Sequence, residues 1–349
     1  MTTVGADDTE KNIRSIQELV NAGLQRVPAV YIRPVQERAR CTSAPNSITN
    51  VRDHQLPSVP LISLSSSSRQ LLQQVTHACS HWGIFQVIDH EVPISLQNQL
   101  WSATCHFFSL PTKTKLELIS QDPSCPLLFS TGFFSHEKVK EWKDTLGFKP
   151  NASMNQELLP YFLRGPMLNF HKKMKVLAHK LCEAICTTLA LDCKGFCDSQ
   201  LSRETMGFNY YPTCPDPDLT FGLSSHSDFG SLTIIMQDEV QGLQVRKGNA
   251  WIDVVPIPNS FIVLLGDQVE ILTNGYYKSV EHRVVTNTMK PRMSIACFYA
   301  PNEHEHVKPL NQFVTRGCPT MYKETKFGDY LKHGFNRGLN GKSNLEFSS

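Results

Sequence analysis

The chain lacks a surplus of either charge. Its 349 residues hold 34 Lys and Arg against 32 Asp and Glu, a formal net charge of +2. Proteins that grip nucleic acid or an anionic membrane draw affinity from an excess of cations, so neither partner is expected. A long apolar run is also missing. No stretch approaches the roughly 18 residues of a bilayer-spanning helix, so no membrane span is expected. Met1 to Asp8 is acidic and has no apolar core, so no secretory signal is read there and a cytoplasmic protein is expected. Paired cysteine spacing is absent as well. Eleven cysteines are scattered along the chain with no Cys-x-x-Cys, which argues against a disulfide framework and against a zinc knuckle. Cys182, Cys186, Cys193 and Cys197 do gather in one stretch. Cys182 and Cys186 are four apart in an apparent helix, where small apolar side chains pack, so a metal or disulfide role is not assigned to them. No internal repeat and no Gly/Ser-rich or Pro-rich linker interrupts the chain, which favours one integrated fold.

What is present is a helical first half and a strand-rich second half. Residues 11–24 carry Ile13, Ile16, Leu19, Val20 and Leu24 at helical spacing, with Gly23 as the stop. Val27 to Pro34 reads as an extended, proline-punctuated segment, and 36–58 as a polar loop. The serine run Ser65 to Ser68 stands where a helix N-cap belongs, followed by Leu71, Leu72, Val75, Ala78 and Trp82 and closed by Gly83. A strand is expected over 84–88, and helices over about 94–109 and 164–190. From about residue 205 short β-type runs alternate with turn residues: 208–211, 232–236, 243–246, 251–255, 261–265, 276–285 and 292–299. Strands at this spacing form a sandwich or barrel. The expected class is a β-rich α+β fold with helices buttressing a jelly roll. Its regions are 1–58 (helix and extended segment), 59–200 (mainly helical), 201–305 (jelly-roll core) and 306–349 (helical tail).

The chemistry sits in the β-rich half. His226 and Asp228 are two apart, so on a strand or at its end both point the same way. His282 follows 56 positions later (282 − 226), inside the β-type run Val280 to Val285. Two imidazoles and one carboxylate can hold one face of Fe(II) and leave the other open. Arg292, ten positions after His282 (292 − 282), offers a planar two-pronged donor for a dicarboxylate beside that metal. Alone, His-x-Asp is a weak pattern in a chain with 13 histidines; the downstream Arg292-Met293-Ser294 sharpens it.

Longer stretches strengthen the pattern: Tyr31-Ile32-Arg33-Pro34, Cys79 to Ile88, Phe107 to Pro111, Glu141-Trp142-Lys143-Asp144, Asn209 to Pro215, Gly222 to Asp228, Leu232-Thr233-Ile234, Gln237-Asp238, Gly242 to Val245, Gly266-Asp267, Lys278 to Val284 and Arg292 to Tyr299. With these motifs the chain resembles the plant-type Fe(II)- and 2-oxoglutarate-dependent dioxygenases of specialised metabolism, from about residue 27 to about 332. The resemblance implies a double-stranded β-helix of cupin-like kind and a monomer. It implies that His226, Asp228 and His282 are the iron ligands, that Arg292 and Ser294 hold the distal carboxylate of 2-oxoglutarate, that Tyr211 also reaches that carboxylate, and that Asn209 lies close to the co-substrate. It further implies consumption of O2, release of succinate and CO2, and hydroxylation or desaturation of a small-molecule substrate, with ascorbate sustaining activity. Phe298 stands at a position that presents a ring to the substrate in flavonoid-oxidising relatives; Phe129, Phe133, Phe134 and Tyr31 are further candidates for the substrate mouth. A flavonoid or related phenolic is the expected substrate. One stretch departs from the family, which usually has Asn-His-Gly where this chain has Asp89-His90-Glu91; His90 is read as structural.

Three other readings remain open. The same chemistry could act on a jasmonate, gibberellin or alkaloid. The fold could serve as a cupin-like binding protein without turnover. Two His and a carboxylate also suit a zinc hydrolase, although the chain has no His-Glu-x-x-His and Arg292 would then be unexplained.

Overall fold

A computed structural model describes residues 15–38, 58–119, 122, 124–131, 139–150 and 154–349. The first turn of the expected N-terminal helix, most of the expected loop over 36–58, and both Phe133 and Phe134 lie outside the described residues.

In chain order the elements are α1 (Ile16–Asn21), β1 (Leu61–Ser63), α2 (Ser68–His81), β2 (Ile84–Ile88), α3 (Ile94–Ser109), α4 (Thr112–Glu117), β3 (Leu127–Thr131), β4 (Asp144–Phe148), α5 (Tyr161–Thr188), α6 (Cys193–Gln200), β5 (Arg203–Tyr211), β6 (Phe221–His226), β7 (Leu232–Gln237), β8 (Leu243–Lys247), β9 (Ala250–Asp253), β10 (Phe261–Leu265), α7 (Asp267–Leu272), β11 (His282–Val285), β12 (Arg292–Ala300), β13 (His306–Val307), β14 (Thr325–Lys326) and α8 (Phe327–Arg337). An eight-stranded sheet runs β1-β2-β10-β7-β12-β5-β4-β3, and a four-stranded sheet runs β6-β11-β8-β9. Two facing sheets braced by helices are the expected jelly roll. The large sheet recruits β1 to β4 from the half of the chain that reads as helical.

Alternation along β12 and β5 sorts the interior. Met293, Ile295, Cys297 and Tyr299 join Met206 and Phe208 in a core with α2, α3 and α5. Ala296 and Tyr211, with Phe298 against them, belong instead to a second core with Val245 and Val284 of the small sheet. Period-two geometry therefore sends odd positions of β12 to the helices and even positions into the space between the sheets.

Several expectations change in contact with the fold. The long helix begins at Tyr161 and carries Pro166 in its second turn, where the ring removes the N–H that would otherwise bond the Phe162 carbonyl. Residues 276–281 do not form a strand; β11 starts at His282. The serine run does supply the N-cap, Ser67, yet its side chain makes no capping bond. Part of the supposedly extended segment is a single 3-10 turn, Ala29–Tyr31. β3, β4, α6 and α7 were not foreseen, being short and irregular in pattern.

The Asp89-His90-Glu91 departure has a local consequence. Asp89 and Glu91 both adopt left-handed backbone, φ +56 and +63. Asp89 is compensated, since its carboxylate accepts from the hydroxyls of Ser63 and Ser65 at 2.5 and 3.3 Å. Among the described residues Glu91 makes only an exposed contact with Lys180, at 3.4 Å. Between them His90 is held structurally: Nε2 donates to the Asn259 carbonyl at 3.0 Å, Nδ1 accepts from Val92 N–H at 3.2 Å, and the ring packs on Phe261. Left-handed backbone costs a residue with a Cβ roughly 1–2 kcal/mol, partly offset against glycine by unfolded-state entropy. Glu91→Gly should therefore stabilise the protein by about 0.5–1 kcal/mol in urea unfolding. An unchanged or lower midpoint would show that this turn carries no strain.

Candidate active site

Backbone pairing brings the three metal-type side chains together. His282 at the start of β11 lies opposite His226 at the end of β6. Asp228 sits two residues past that strand end. One donor atom from each of His226, Asp228 and His282 lies within 4.8 Å of the others, and all three residues are buried. The Nε2 atoms of His226 and His282 stand 3.6 and 3.8 Å from Asp228 Oδ1, too far for hydrogen bonds, so the donors face a common centre rather than one another. Each imidazole is oriented from behind. His226 Nδ1 donates to the Ser224 carbonyl at 2.8 Å, and His282 Nδ1 to the Val280 carbonyl at 3.1 Å. A proton fixed on Nδ1 leaves the Nε2 lone pair toward the centre, the tautomer a metal needs. Burial, reinforced by neighbouring His226, pushes His282 down to about 4, so its ring is neutral at ordinary pH. Burial alone would raise Asp228; the two imidazoles outweigh it and hold the carboxyl at about 2. Asp228 Oδ2 is buried with no hydrogen-bond partner among the described residues. A carboxylate and two inward lone pairs, with an orphaned acceptor between them, fit a divalent cation.

The neighbouring wall is built by β12 and β5, whose register sets Arg292 opposite Tyr211 and Ser294 opposite Asn209. Arg292 is only 2% exposed. Its Nη2 donates to Gln237 Oε1 at 2.7 Å, while Nε and Nη1 are buried without a partner among the described residues. Its guanidinium lies 5.3 Å from the Tyr211 ring centre. Burial pushes the Tyr211 phenol up, with Arg292 and Ser294 acting in opposition as close neighbours. Two glycines make this packing possible. A Cβ on Gly242 would stand 2.9 Å from Arg292 Cδ, and one on Gly222 would stand 2.6 Å from the Tyr211 ring. Gly222 would also meet Val284, one pleat step along β11 from His282, a rise of roughly 7 Å. The orphaned guanidinium and the three donors thus share one inter-sheet space.

Several residues around the site carry no assignment from sequence. Lys143 is buried, and its Nζ donates to Asn209 Oδ1 at 3.2 Å, as does Thr145 Oγ1 at 3.2 Å. The amide of Asn209 is thereby fixed with its oxygen toward a cation. Asp267 N–H donates to the Asp228 carbonyl at 2.8 Å, and its carboxylate accepts from Tyr330 of α8 at 2.7 Å. Near the C-terminus, Gly341 N–H donates to Ser225 O at 2.8 Å, and Ser227 N–H donates to Gly341 O at 3.2 Å. The chain's last segment is therefore stitched to the backbone on both sides of His226. Lys143, Gly266-Asp267 and both glycines fall within motifs of the family resemblance; nothing in the local pattern marks Gly341.

The candidates for the substrate mouth divide. Phe298 is half-buried on the inter-sheet face, its ring edge over Gly207. Phe129 is paired with Leu146, whose face meets the helices, and its ring packs near Phe107, 6.1 Å between centres. Alternation thus removes Phe129 from the mouth. Tyr31 is also removed: it is fully buried, edge-on to Trp142 at 5.2 Å, in a small core with Ile16, Val27 and Cys214. Phe133 and Phe134 lie outside the described residues.

Comparison with known proteins agrees with this geometry. Residues 202–301 match the model of the 2OG-Fe(II) oxygenase superfamily, and residues 59–168 match that of the N-terminal region of non-haem dioxygenases in morphine synthesis. A feruloyl CoA ortho-hydroxylase of Ipomoea batatas is 33% identical over 342 residues, 95% of this chain and 93% of that protein. Codeine O-demethylase of Papaver somniferum is 34% identical over 351 residues, 96% of each chain. The crystal structure of JOX2 in complex with 2OG, Fe and JA superposes with a TM-score of 0.84 at 30% identity, covering 96% of this chain and 97% of that one. The two facing sheets, their buried donor set and these matches lead to one conclusion: the chain belongs to the 2OG-Fe(II) oxygenase superfamily, among the 2-oxoglutarate-dependent dioxygenases of plant specialised metabolism.

Proposed function

We propose that His226, Asp228 and His282 hold Fe(II), that Arg292 holds the distal carboxylate of 2-oxoglutarate, and that the enzyme hydroxylates or desaturates a small phenolic metabolite, a flavonoid first among the candidates. The observation that carries the co-substrate assignment is the buried Arg292 with two orphaned donors, Nε and Nη1. A carboxylate would satisfy both in the fork geometry that guanidinium offers. When bound, iron supplies the oxidation of a C–H bond, coupled to conversion of 2-oxoglutarate and O2 into succinate and CO2.

The protein's own contribution is orientation. His226 and His282 present fixed lone pairs, Asp228 presents the charge, and Ser294 and Tyr211 add hydroxyls beside Arg292. Asn209, fixed by Lys143 and Thr145, stands next along the same wall. Phe298 offers a ring face that suits a flat aromatic substrate, and the name of the Ipomoea relative describes ring hydroxylation of a phenylpropanoid thioester. The names of other relatives keep a non-phenolic substrate as the second reading: codeine O-demethylase points to an alkaloid, and JOX2 was crystallised with JA. Ascorbate is the expected sustaining reductant. A cytoplasmic monomer is proposed, in keeping with the ten described cysteines, all free thiols.

Purified protein with Fe(II), ascorbate and 2-oxoglutarate should release succinate only when O2 is present. His226→Ala and Asp228→Ala should abolish that release; full activity in either removes it from the ligand set. Arg292→Ala should raise the KM for 2-oxoglutarate about 10- to 150-fold, the worth of charge-assisted hydrogen bonds. Gly242→Ala should shift the same constant in the same direction by displacing Arg292, with iron binding retained. An unchanged constant in both variants would take Arg292 out of the anchor role. Product profiling over flavanones, hydroxycinnamoyl CoA thioesters, jasmonate and alkaloids tests the substrate. Phe298→Ala should raise the KM of the best phenolic about 2- to 10-fold without altering that of 2-oxoglutarate. Turnover confined to the non-phenolic compounds overturns the phenolic reading.

A further inference from the structure

Far from the inter-sheet space, on the helical side of the large sheet, three thiols converge. Cys182 and Cys186 lie one turn apart on α5. The chain reverses at Ala190, φ +53, and α6 returns against α5 carrying Cys197. The sulfurs of Cys182, Cys186 and Cys197 all lie within 4.8 Å of one another, and all three residues are buried. Cys186 Sγ and Cys197 Sγ are 3.8 Å apart. That separation is about twice a disulfide bond. It matches the edge of a tetrahedron of thiolates around one zinc, since bonds of about 2.3 Å place the sulfurs about 3.8 Å apart. Ordinary packing scatters buried thiols singly, as at Cys79, Cys214 and Cys297; among the described residues no second group of thiols converges.

One candidate for the fourth position lies on the same helix. His179 precedes Cys182 by three residues on the same face of α5 and is half-buried, but it stands outside the group of mutually close donors and must turn to join it. Cys193 is turned elsewhere, its sulfur 3.7 Å from the carbonyls of Glu183 and Leu191. Charge selects the metal. Three thiolates around a divalent ion leave one net negative charge in an apolar setting, whereas a monovalent ion leaves two, and burial penalises the larger.

We propose that Cys182, Cys186 and Cys197 form a structural zinc site that clamps α6 onto α5, with His179 of the same helix face turning in as fourth ligand. The clamp has a reach: Gln200, the last residue of α6, accepts from the Ser231 hydroxyl at 2.8 Å, in the turn that carries Asp228.

The test uses the reduced full-length protein. Anaerobic Co2+ titration should produce an ultraviolet sulfur-to-cobalt charge-transfer band that Zn2+ displaces; the site of His226, Asp228 and His282 has no sulfur and cannot produce it. The band should vanish in Cys186→Ser/Cys197→Ser, which should keep O2-dependent succinate release. In His179→Ala the charge-transfer band should persist while the visible cobalt bands change. A His226→Ala/Asp228→Ala protein, still holding all three cysteines, should retain one zinc per chain after dialysis by elemental analysis, whether or not the cysteine variant folds. No charge-transfer band in the folded wild type, a band that survives loss of Cys186 and Cys197, or a dialysed His226→Ala/Asp228→Ala protein free of zinc would each overturn the proposal.

Discussion

The antiparallel pairing of β6 with β11 is the constraint on which the rest depends. It sets His226 opposite His282 although 55 residues separate them in the chain (282 − 226 − 1). A slip of one residue would turn either imidazole to the other face of the sheet. The molecule guards that register from several sides. β8 pairs with the far edge of β11, setting Val245 opposite His282. Gly341 pairs along the free edge of β6, and Asp267 ties the Asp228 carbonyl to the start of α7. Glu270 in the same helix accepts from Ser279 N–H at 2.7 Å, just before β11, and pairs with Lys342 of the C-terminal tail. The tail therefore serves the geometry of the donors without contributing one.

A second constraint is the burial of charge on the wall facing those donors. Arg292 keeps two nitrogens, Nε and Nη1, without a partner among the described residues, each a cost of roughly 1–3 kcal/mol to the folded chain. The carboxylate proposed to bind there would recover that cost. Lys143 is buried as well but is engaged by Asn209. The segment before it is anchored by the buried pair Arg33–Glu141 at 2.7 Å and by Trp142, which packs on Tyr31 and whose N–H groups reach the carbonyls of Phe221 and Pro212. Tyr31-Ile32-Arg33-Pro34 thus supports the site from behind: its arginine and tyrosine fasten the strand entry that carries Lys143.

Much of this architecture is legible in the residues. Strands over 84–88 and 261–265 and the helix over 94–109 coincide with the observed elements, because dense apolar patterns leave one solution. Helical period places Cys182 and Cys186 on one face of α5, yet only the return of α6 brings Cys197 to them, so spacing rules built on single loops miss the cluster. Phe129 illustrates the opposite error. An aromatic residue near a motif invites a role at the mouth, but which face of β3 it occupies depends on its pairing with Leu146 of β4. Glu91 shows a residue obeying the fold against its own preference, since the turn forces left-handed backbone on a side chain that disfavours it.

By itself the sequence singled out the residues proposed for the chemistry: the candidate donors His226, Asp228 and His282, Arg292 ten residues beyond the last of them, and Ser294 two along on the same face. Those follow from covalent constitution and from the period of a strand. Only the tertiary structure decided that Tyr31 and Phe129 turn away from the site, that Gly222 and Gly242 must lack a Cβ, that Lys143 engages Asn209, and that Gly341 pairs beside His226. Each of these rests on which strands and segments become neighbours, and long-range pairing leaves no mark in local pattern.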